Sequence, residues 1–514
     1  MSNGGASGGV QIGTVTSKIP GRLDRLPWSR WHWMIIIGLG TVWILDGLEV
    51  TVISSITGRV SAAGSGVSIT STQISGLGAA LYVAGACIGA LFFGQLTDRF
   101  GRKRLFMITL AVYLSGALLT AFSFAPWWFF LFRFITGAGI GGEYSAINSA
   151  IDELIPKSHR GRVDIAINGS YWLGAIGGAL LSVLVLNESI FPVWLGWRLA
   201  FGLGGVLGLV ILLVRRNVPE SPRWLLIHGR QDEAERIVKD IEQRVTADRG
   251  NLTDVPDDKA ITIRQRHSIP LTEMVRTLAK LYPKRSILGF SLFVGQAFLY
   301  NSILFGYTTV LATFFGVSTG DAPYYLVAFA AGNLVGPLVL GPLFDSIGRK
   351  QMISTTYMLS GVLLLITGLL FQHHVLTATT LTIAWMVVFF FASAGASAAY
   401  LTVSEVFPME TRAISISVFY AVGTGAGGII GPLLFAKMVA TKNATDVFWA
   451  LALGAGLMIV GGIVELLLGV RAERKGLEEI AMPLTLADAE AEAEGAPGSS
   501  GKTEGGAAGA LAGT

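Results

Sequence analysis

Charged residues are scarce in this sequence. Asp, Glu, Lys and Arg make up only 14% of its 514 residues, whereas a soluble globular chain carries about 25%. A water-facing surface of ordinary composition is therefore excluded for most of the chain. Cysteine is almost absent too: Cys87 stands alone, which excludes an intrachain disulfide and a cysteine-based metal centre. With no His, Cys and carboxylate cluster, no nucleophile triad and no Walker-type loop at workable spacing, the chain is not expected to be an enzyme or an ATP-driven pump, or to hold a metal or cofactor. The net charge of +4 is scattered between apolar runs, so no basic stripe points to nucleic acid. No short apolar leader with a small-residue cleavage site opens the chain, and its first apolar helix is expected to stay in the membrane.

What is present is apolar sequence, 52% of the chain. A helix needs about 20 mostly apolar residues to cross a hydrocarbon layer of about 30 Å. Twelve runs of that length occur, near 33–56, 74–96, 105–124, 127–150, 163–186, 194–214, 286–315, 323–344, 351–371, 378–401, 413–439 and 447–470. The expected fold is an all-α membrane protein in two pseudo-symmetric six-helix bundles, at 33–214 and 286–470. Between them, 215–285 is charged, with a helical pattern around Gln231–Val245. The tails, 1–32 and 471–514, include Gly/Ser-rich and Ala/Glu/Gly-rich stretches expected to be disordered over the first ~20 residues and over 483–514. Lys and Arg concentrate in alternate loops, at Arg99, Arg102, Lys103 and Arg104, at Lys157, Arg160 and Arg162, at Arg349 and Lys350, and at Arg412. Such loops stay on the cytoplasmic side, so both termini are expected there.

The halves repeat one another. Gly94-Gln-Leu-Thr-Asp98-Arg-Phe-Gly101-Arg102-Lys103 corresponds to Gly341-Pro-Leu-Phe-Asp345-Ser-Ile-Gly348-Arg349-Lys350, and Glu153-Leu-Ile-Pro156 with Arg160 corresponds to Glu405-Val-Phe-Pro408 with Arg412. Parallel halves of this kind are one known transporter plan, with the substrate site between them near the midplane.

Ionisable residues within a bilayer are functional candidates by default. Asp46 and Glu49 stand three residues apart on the first helix, so both are expected on one face and in one cavity. At 1.5 Å per residue, Glu49 lies about 10 Å from the outer end of its helix and Arg133 about 9 Å from that of the fourth, so they can meet. An arginine beside a carboxylate holds it ionised, and altering the pair lets it take a proton. The same pair can equally be a fixed bridge that orients two helices. Asp46 reads as a second proton site, a ligand for a cationic substrate, or a group hydrogen-bonded at a helix interface. Glu143 lies about 15 Å along the axis from Arg133; it can join the inner gate or tune substrate charge. Asp98, Arg102, Glu153, Arg160, Asp345, Arg349, Glu405 and Arg412 can close that gate by charge-assisted bonds, or serve topology alone. Substrate-site candidates are Asn168, Trp172, Gln296, Asn301, Tyr307 and Tyr400, since such cavities combine aromatic walls with a few polar groups.

The paired loops, G-x-x-x-D-x-x-G-R-K and E-x-x-P-x-x-x-R, resemble the signature loops of the major facilitator superfamily and its sugar porters. Pro219-Glu-Ser-Pro-Arg-Trp224 and Glu473-Arg-Lys-Gly-Leu-Glu-Glu-Ile480 are similar to further sugar-porter segments. The resemblance implies a major facilitator fold. It also overlays Glu49 and Arg133 on the proton-coupling pair of proton-driven relatives, with the proton gradient as energy source. The seventh helix departs, reading Gly295-Gln296-Ala-Phe-Leu-Tyr-Asn301 where sugar porters have Q-Q-L-S-G-I-N. Leu26-Pro-Trp-Ser-Arg-Trp-His-Trp33 and Asp46-Gly-Leu-Glu49 look more like bacterial metabolite:proton symporters, including aromatic-acid symporters, organic-ion transporters and the synaptic vesicle glycoprotein 2 family. The expectation is a monomeric, multi-pass symporter for protons and a small organic ion or aromatic acid. A uniporter, a proton-driven exporter and a non-transporting receptor are the alternatives.

Overall fold

The computed structural model describes residues 14–215, 219–257, 260–264, 280, 282–408 and 412–481. Among them, ten helices are long and apolar enough to cross a membrane. Two more, Pro126–Leu154 and Val193–Arg215, complete a set of twelve; the first carries Arg133 and Glu143, and the second is a shorter apolar helix. Side chains such as Ile37, Phe92, Leu180, Val339 and Leu467 stand more than half exposed on the outside of the bundle, an apolar surface that only lipid suits. The helices satisfy their own backbone groups, as a bilayer demands.

The spans, taken in order as first to twelfth, begin with Arg30–Val60 and end with Ala444–Leu468. Local chemistry fixes their ends. Prolines open the fourth span at Pro126 and the seventh at Pro283, where the missing N–H costs nothing. Gly101 (φ 94°) and Gly348 (φ 125°) occupy the sharp corner before the third and ninth spans. A side chain there would be strained, which is why both copies of the repeat keep glycine before Arg-Lys. The Gly137–Gly142 run packs rather than binds: a Cβ on Gly141 would sit 1.9 Å from the Ala86 carbonyl oxygen, so the second and fourth spans meet backbone to backbone.

Three spans depart from a continuous α-helix. The fifth divides into Arg160–Gly169 and Tyr171–Val185 at Ser170, whose hydroxyl donates to Gly40 O of the first span (3.0 Å). The second opens with a π turn, Gln73–Gly78, and the eleventh contains another, Tyr420–Ile429. Wide turns of this type rotate the side chains that follow.

At the end of the bundle bearing the basic loops, a small water-facing layer is assembled. Helix Gln231–Arg249 buries Ala234, Val238, Ile241 and Val245, one stripe at helical spacing. The N-terminal segment corrects the expectation of disorder through about residue 20. Thr14–Ser17 pairs antiparallel with Ile261–Arg264, and Ile19–Asp24 is a helix. Arg22 reaches Glu235 and Glu242 at 2.6 Å each, and Arg25 reaches Glu242 at 2.6 Å. Residues 1–13 and 482–514 lie outside the described residues.

Candidate functional site

A cavity of about 120 Å3 lies between the two halves. The first span supplies Trp43 and Asp46, the second Tyr82, the fourth Tyr144, and the fifth Asn168, Tyr171 and Trp172; the seventh, tenth and eleventh supply Gln296, Tyr300, Asn301, Tyr400, Tyr420 and Thr424. Five of the seven residues expected here therefore meet in one place. Two do not. Tyr307 is turned into the second half, hydrogen-bonded to Thr382 (2.7 Å) and stacked on Phe329. Glu143 is buried toward the third span, with Thr109 donating to it at 3.4 Å, and it is not among the lining residues.

Asp46 is the only charged side chain lining the cavity among the described residues. One carboxylate oxygen accepts the Tyr82 hydroxyl (2.5 Å) and the other the Tyr144 hydroxyl. The ring of Tyr144 stacks on Trp43 with centroids 4.5 Å apart. Tyr400 and Tyr420, from the other half, meet Tyr144 edge-on at 6.0 and 5.1 Å. These four rings close the cavity toward the basic loops. On the opposite side, Ser54 donates to Leu304 O (3.0 Å) and Thr308 to Ser54 O (2.9 Å), joining the halves again.

Glu49 does not share this cavity, contrary to the expectation from its spacing to Asp46. It borders a separate space of about 10 Å3 beside Tyr113 and Phe201, at the lower limit for one water. Glu49 and Arg133 form a buried ion pair through Arg133 Nη1, while Arg133 Nη2 makes no hydrogen bond. Tyr82 stands between the two acids: its ring lies 4.6 Å from the Arg133 guanidinium carbon and its hydroxyl binds Asp46. Asp46, Tyr82, Arg133 and Glu49 thus form a continuous chain from the cavity to the ion pair.

The charged loops close the basic end. In the first half Arg102 donates to Glu153 (2.6 Å); in the second Arg349 grips Glu405 with two nitrogens (3.0 and 3.2 Å) and Asp345 with a third contact (2.7 Å). Among the described residues, contacts that cross between the halves at this end include Arg412 to Glu153 (3.7 Å) and the Arg162 N–H to Asp345 (2.9 Å). Arg160, expected in the same mesh, instead reaches Asp24 (3.5 Å) and the Lys475 carbonyl (3.4 Å). The side chain of Asp98 lies outside the described residues. Arg223 also contacts Asp24, at 3.3 Å. Burial and Arg162 both push the His159 imidazole, at the start of this loop, below its usual range.

Residues that sequence reasoning missed fall into two groups. Tyr82, Tyr144 and Tyr420 carried a usable signal, being tyrosines far from span ends, where interfacial anchoring cannot explain them. Glu220 and Glu473 lay within noted motifs but were given no role. Glu220 accepts the backbone N–H groups of Arg102 and Lys103 (3.0 and 3.1 Å), and Glu473 that of Arg349 (3.4 Å). Each carboxylate thereby caps the positive N-terminus of a span.

A family profile described as "Sugar (and other) transporter" matches residues 31–482. The niacin transporter NiaP of Acinetobacter baylyi is 26% identical over 462 residues, spanning 90% of this chain and 99% of its own. The 4-hydroxybenzoate transporter PcaK of Pseudomonas putida is 26% identical over 448 residues, spanning 86% and 94%. Among solved structures, the major facilitator superfamily proton:xylose symporter XylE, bound to 6-bromo-6-deoxy-D-glucose, superposes with a TM-score of 0.69 at 18% identity, over 87% of this chain and 98% of that one. At that identity the likeness establishes the fold alone.

Proposed function

The chain belongs to the sugar (and other) transporter family of the major facilitator superfamily, and on that premise we propose that it is a proton-coupled symporter of a small organic ion or aromatic acid. Its two halves rock about the central cavity, with the basic loops and both termini on the cytoplasmic side. The observation that carries this reading is the Glu49–Arg133 pair and its connection through Tyr82 to Asp46. In this reading the pair parts when the cavity changes occupancy, because Tyr82 links Arg133 to the cavity acid Asp46. Glu49 then accepts a proton from the outer side and releases it inward with the substrate, and the empty, deprotonated carrier returns to face outward.

Two features favour an ion or aromatic acid over a sugar. The cavity walls are dominated by Trp and Tyr rings. The amide donors that a sugar would use are partly engaged already: Asn168 Nδ2 donates to Asn148 and to Asp164 O, and Asn301 Nδ2 to Ala297 O. The test is reconstitution into proteoliposomes, with uptake measured with and without an inward proton gradient. Gradient-driven accumulation is expected in the wild type and absent in Glu49→Gln, with counterflow retained; accumulation that survives in Glu49→Gln sinks the coupling role.

A further inference from the structure

The charge balance of the cavity selects among organic ions. Asp46 is 2% exposed and is the only charged residue on the lining among the described residues. Among the described residues no Lys, Arg or His shares that lining. Arg133 is screened from the cavity by the Tyr82 ring and already neutralised by Glu49. A carboxylate offers about four lone-pair sites, and the tyrosine hydroxyls occupy two of them, leaving acceptor capacity on a residue that lines the cavity. Beside it stand Trp43, Tyr144, Tyr400 and Tyr420. The faces of such rings carry negative quadrupole and attract cations, most strongly in a desolvated site. Among the described lining residues an anionic substrate would meet one carboxylate, a cluster of aromatic rings and no compensating cation.

We infer that the central cavity is built for an organic cation of about one ring, an ammonium or pyridinium, with the Asp46 carboxylate as its counter-ion and the aromatic cluster as its walls. The inference rests on the reading of this cavity as the substrate site and narrows it. The cavity volume of about 120 Å3 falls below the 300–1,000 Å3 that drug-sized ligands occupy, which limits the ligand to a compact ring or a small alkylammonium.

The test uses the purified full chain in lipid nanodiscs without any gradient, and three one-ring probes matched in size: N-methylpyridinium, benzoate and benzyl alcohol. Binding is read by calorimetry and by thermal shift. N-methylpyridinium is expected to bind at least tenfold more tightly than benzoate. In Asp46→Asn, its affinity is expected to fall at least tenfold while that of benzyl alcohol stays within twofold. Tighter or equal binding of benzoate, no binding of the cation, or cation affinity unchanged in Asp46→Asn overturns the proposal. The wild-type comparison needs no variant and stands even if Asp46→Asn folds poorly. Proton coupling is measured separately in proteoliposomes, so gradient-independent uptake would overturn the symport reading while leaving a cation-selective site in place.

Discussion

Tyr82 lays its ring against Arg133, 4.6 Å from centroid to guanidinium carbon, while the hydroxyl of the same ring donates to Asp46. One side chain therefore touches both the cavity acid and the partner of the buried glutamate. In the proposed mechanism a ligand that pulls on Asp46 moves the ring that covers Arg133.

Tyr82→Phe keeps the ring and removes the link. A hydrogen bond to a charged group is worth about 1.5–3 kcal/mol, so gradient-driven accumulation is expected to fall about tenfold or more. Counterflow exchange, which needs no proton, is expected to persist. Parallel proteoliposome assays of accumulation and counterflow check this; equal loss of both would mean that Tyr82 serves binding alone.

The Glu49–Arg133 pair separates stability from coupling. Arg133→Met alone leaves a buried carboxylate unpaired, at a cost of about 3–5 kcal/mol. The double variant Glu49→Leu with Arg133→Met removes both charges and is expected to recover most of the lost thermal stability, yet to accumulate nothing against a gradient. Melting in detergent and uptake in liposomes give the two readings. A pair of purely structural value would restore uptake along with stability.

The proposed gate has a native reporter. Cys87, the sole cysteine, is buried in the second span against Gly425 of the eleventh, where a Cβ on the glycine would lie 3.6 Å from its sulfur. Glu153 joins Arg102 within its half and Arg412 across the divide. Glu153→Gln weakens both contacts and is expected to shift the closed-to-open balance by about tenfold to a hundredfold. Maleimide labelling of Cys87 should accelerate accordingly, and an unchanged rate would remove Glu153 from the gate.

The N-terminal strap is expected to release in acid. Burial raises the Glu242 carboxyl, but hydrogen bonds from Arg22 and Arg25 outweigh it and hold the group below the usual carboxylate range. A carboxyl lowered in the docked state stabilises docking above its free value of about 4.3. That contribution disappears as pH falls through the lowered value. Amide protection at Thr14–Ser17, taken relative to the intrinsic exchange rate at each pH, should therefore fall below about pH 4 and be flat between neutral pH and about pH 5.

Much of this architecture was legible because run length and motif spacing are properties of the chain itself. The helices, the two-fold repeat and the meeting of Glu49 with Arg133 all follow from counting residues. Rotation about each helix axis does not. Spans that are apolar all round carry no amphipathic stripe to say which face turns inward, so Tyr307 and Glu143, expected at the substrate site or gate, turn instead to Thr382 and Thr109. Asp46 and Glu49 are 300° apart along the helical wheel at 100° per residue, an offset of about 60° that admits the Tyr82 ring between them. Tyr420 and Thr424 face the cavity from a π turn, which nothing in their neighbourhood announces. The strand Thr14–Ser17 was misjudged on composition because its partner lies at Ile261–Arg264, and pairing over that distance leaves no local trace.

The long reach of these contacts also orders events during synthesis. The Glu220 cap of the third span follows Arg102 by 118 residues, and the Glu473 cap of the ninth follows Arg349 by 124. At about 5–20 residues per second, roughly 6–24 s separate the emergence of each span from that of its cap. Each half can thus form its internal pair, Arg102–Glu153 or Arg349–Glu405, before its cap exists. The cap itself closes only when the chain just beyond that half's own sixth helix arrives, so the N-terminus of the third span enters the bilayer before the carboxylate that will cap it.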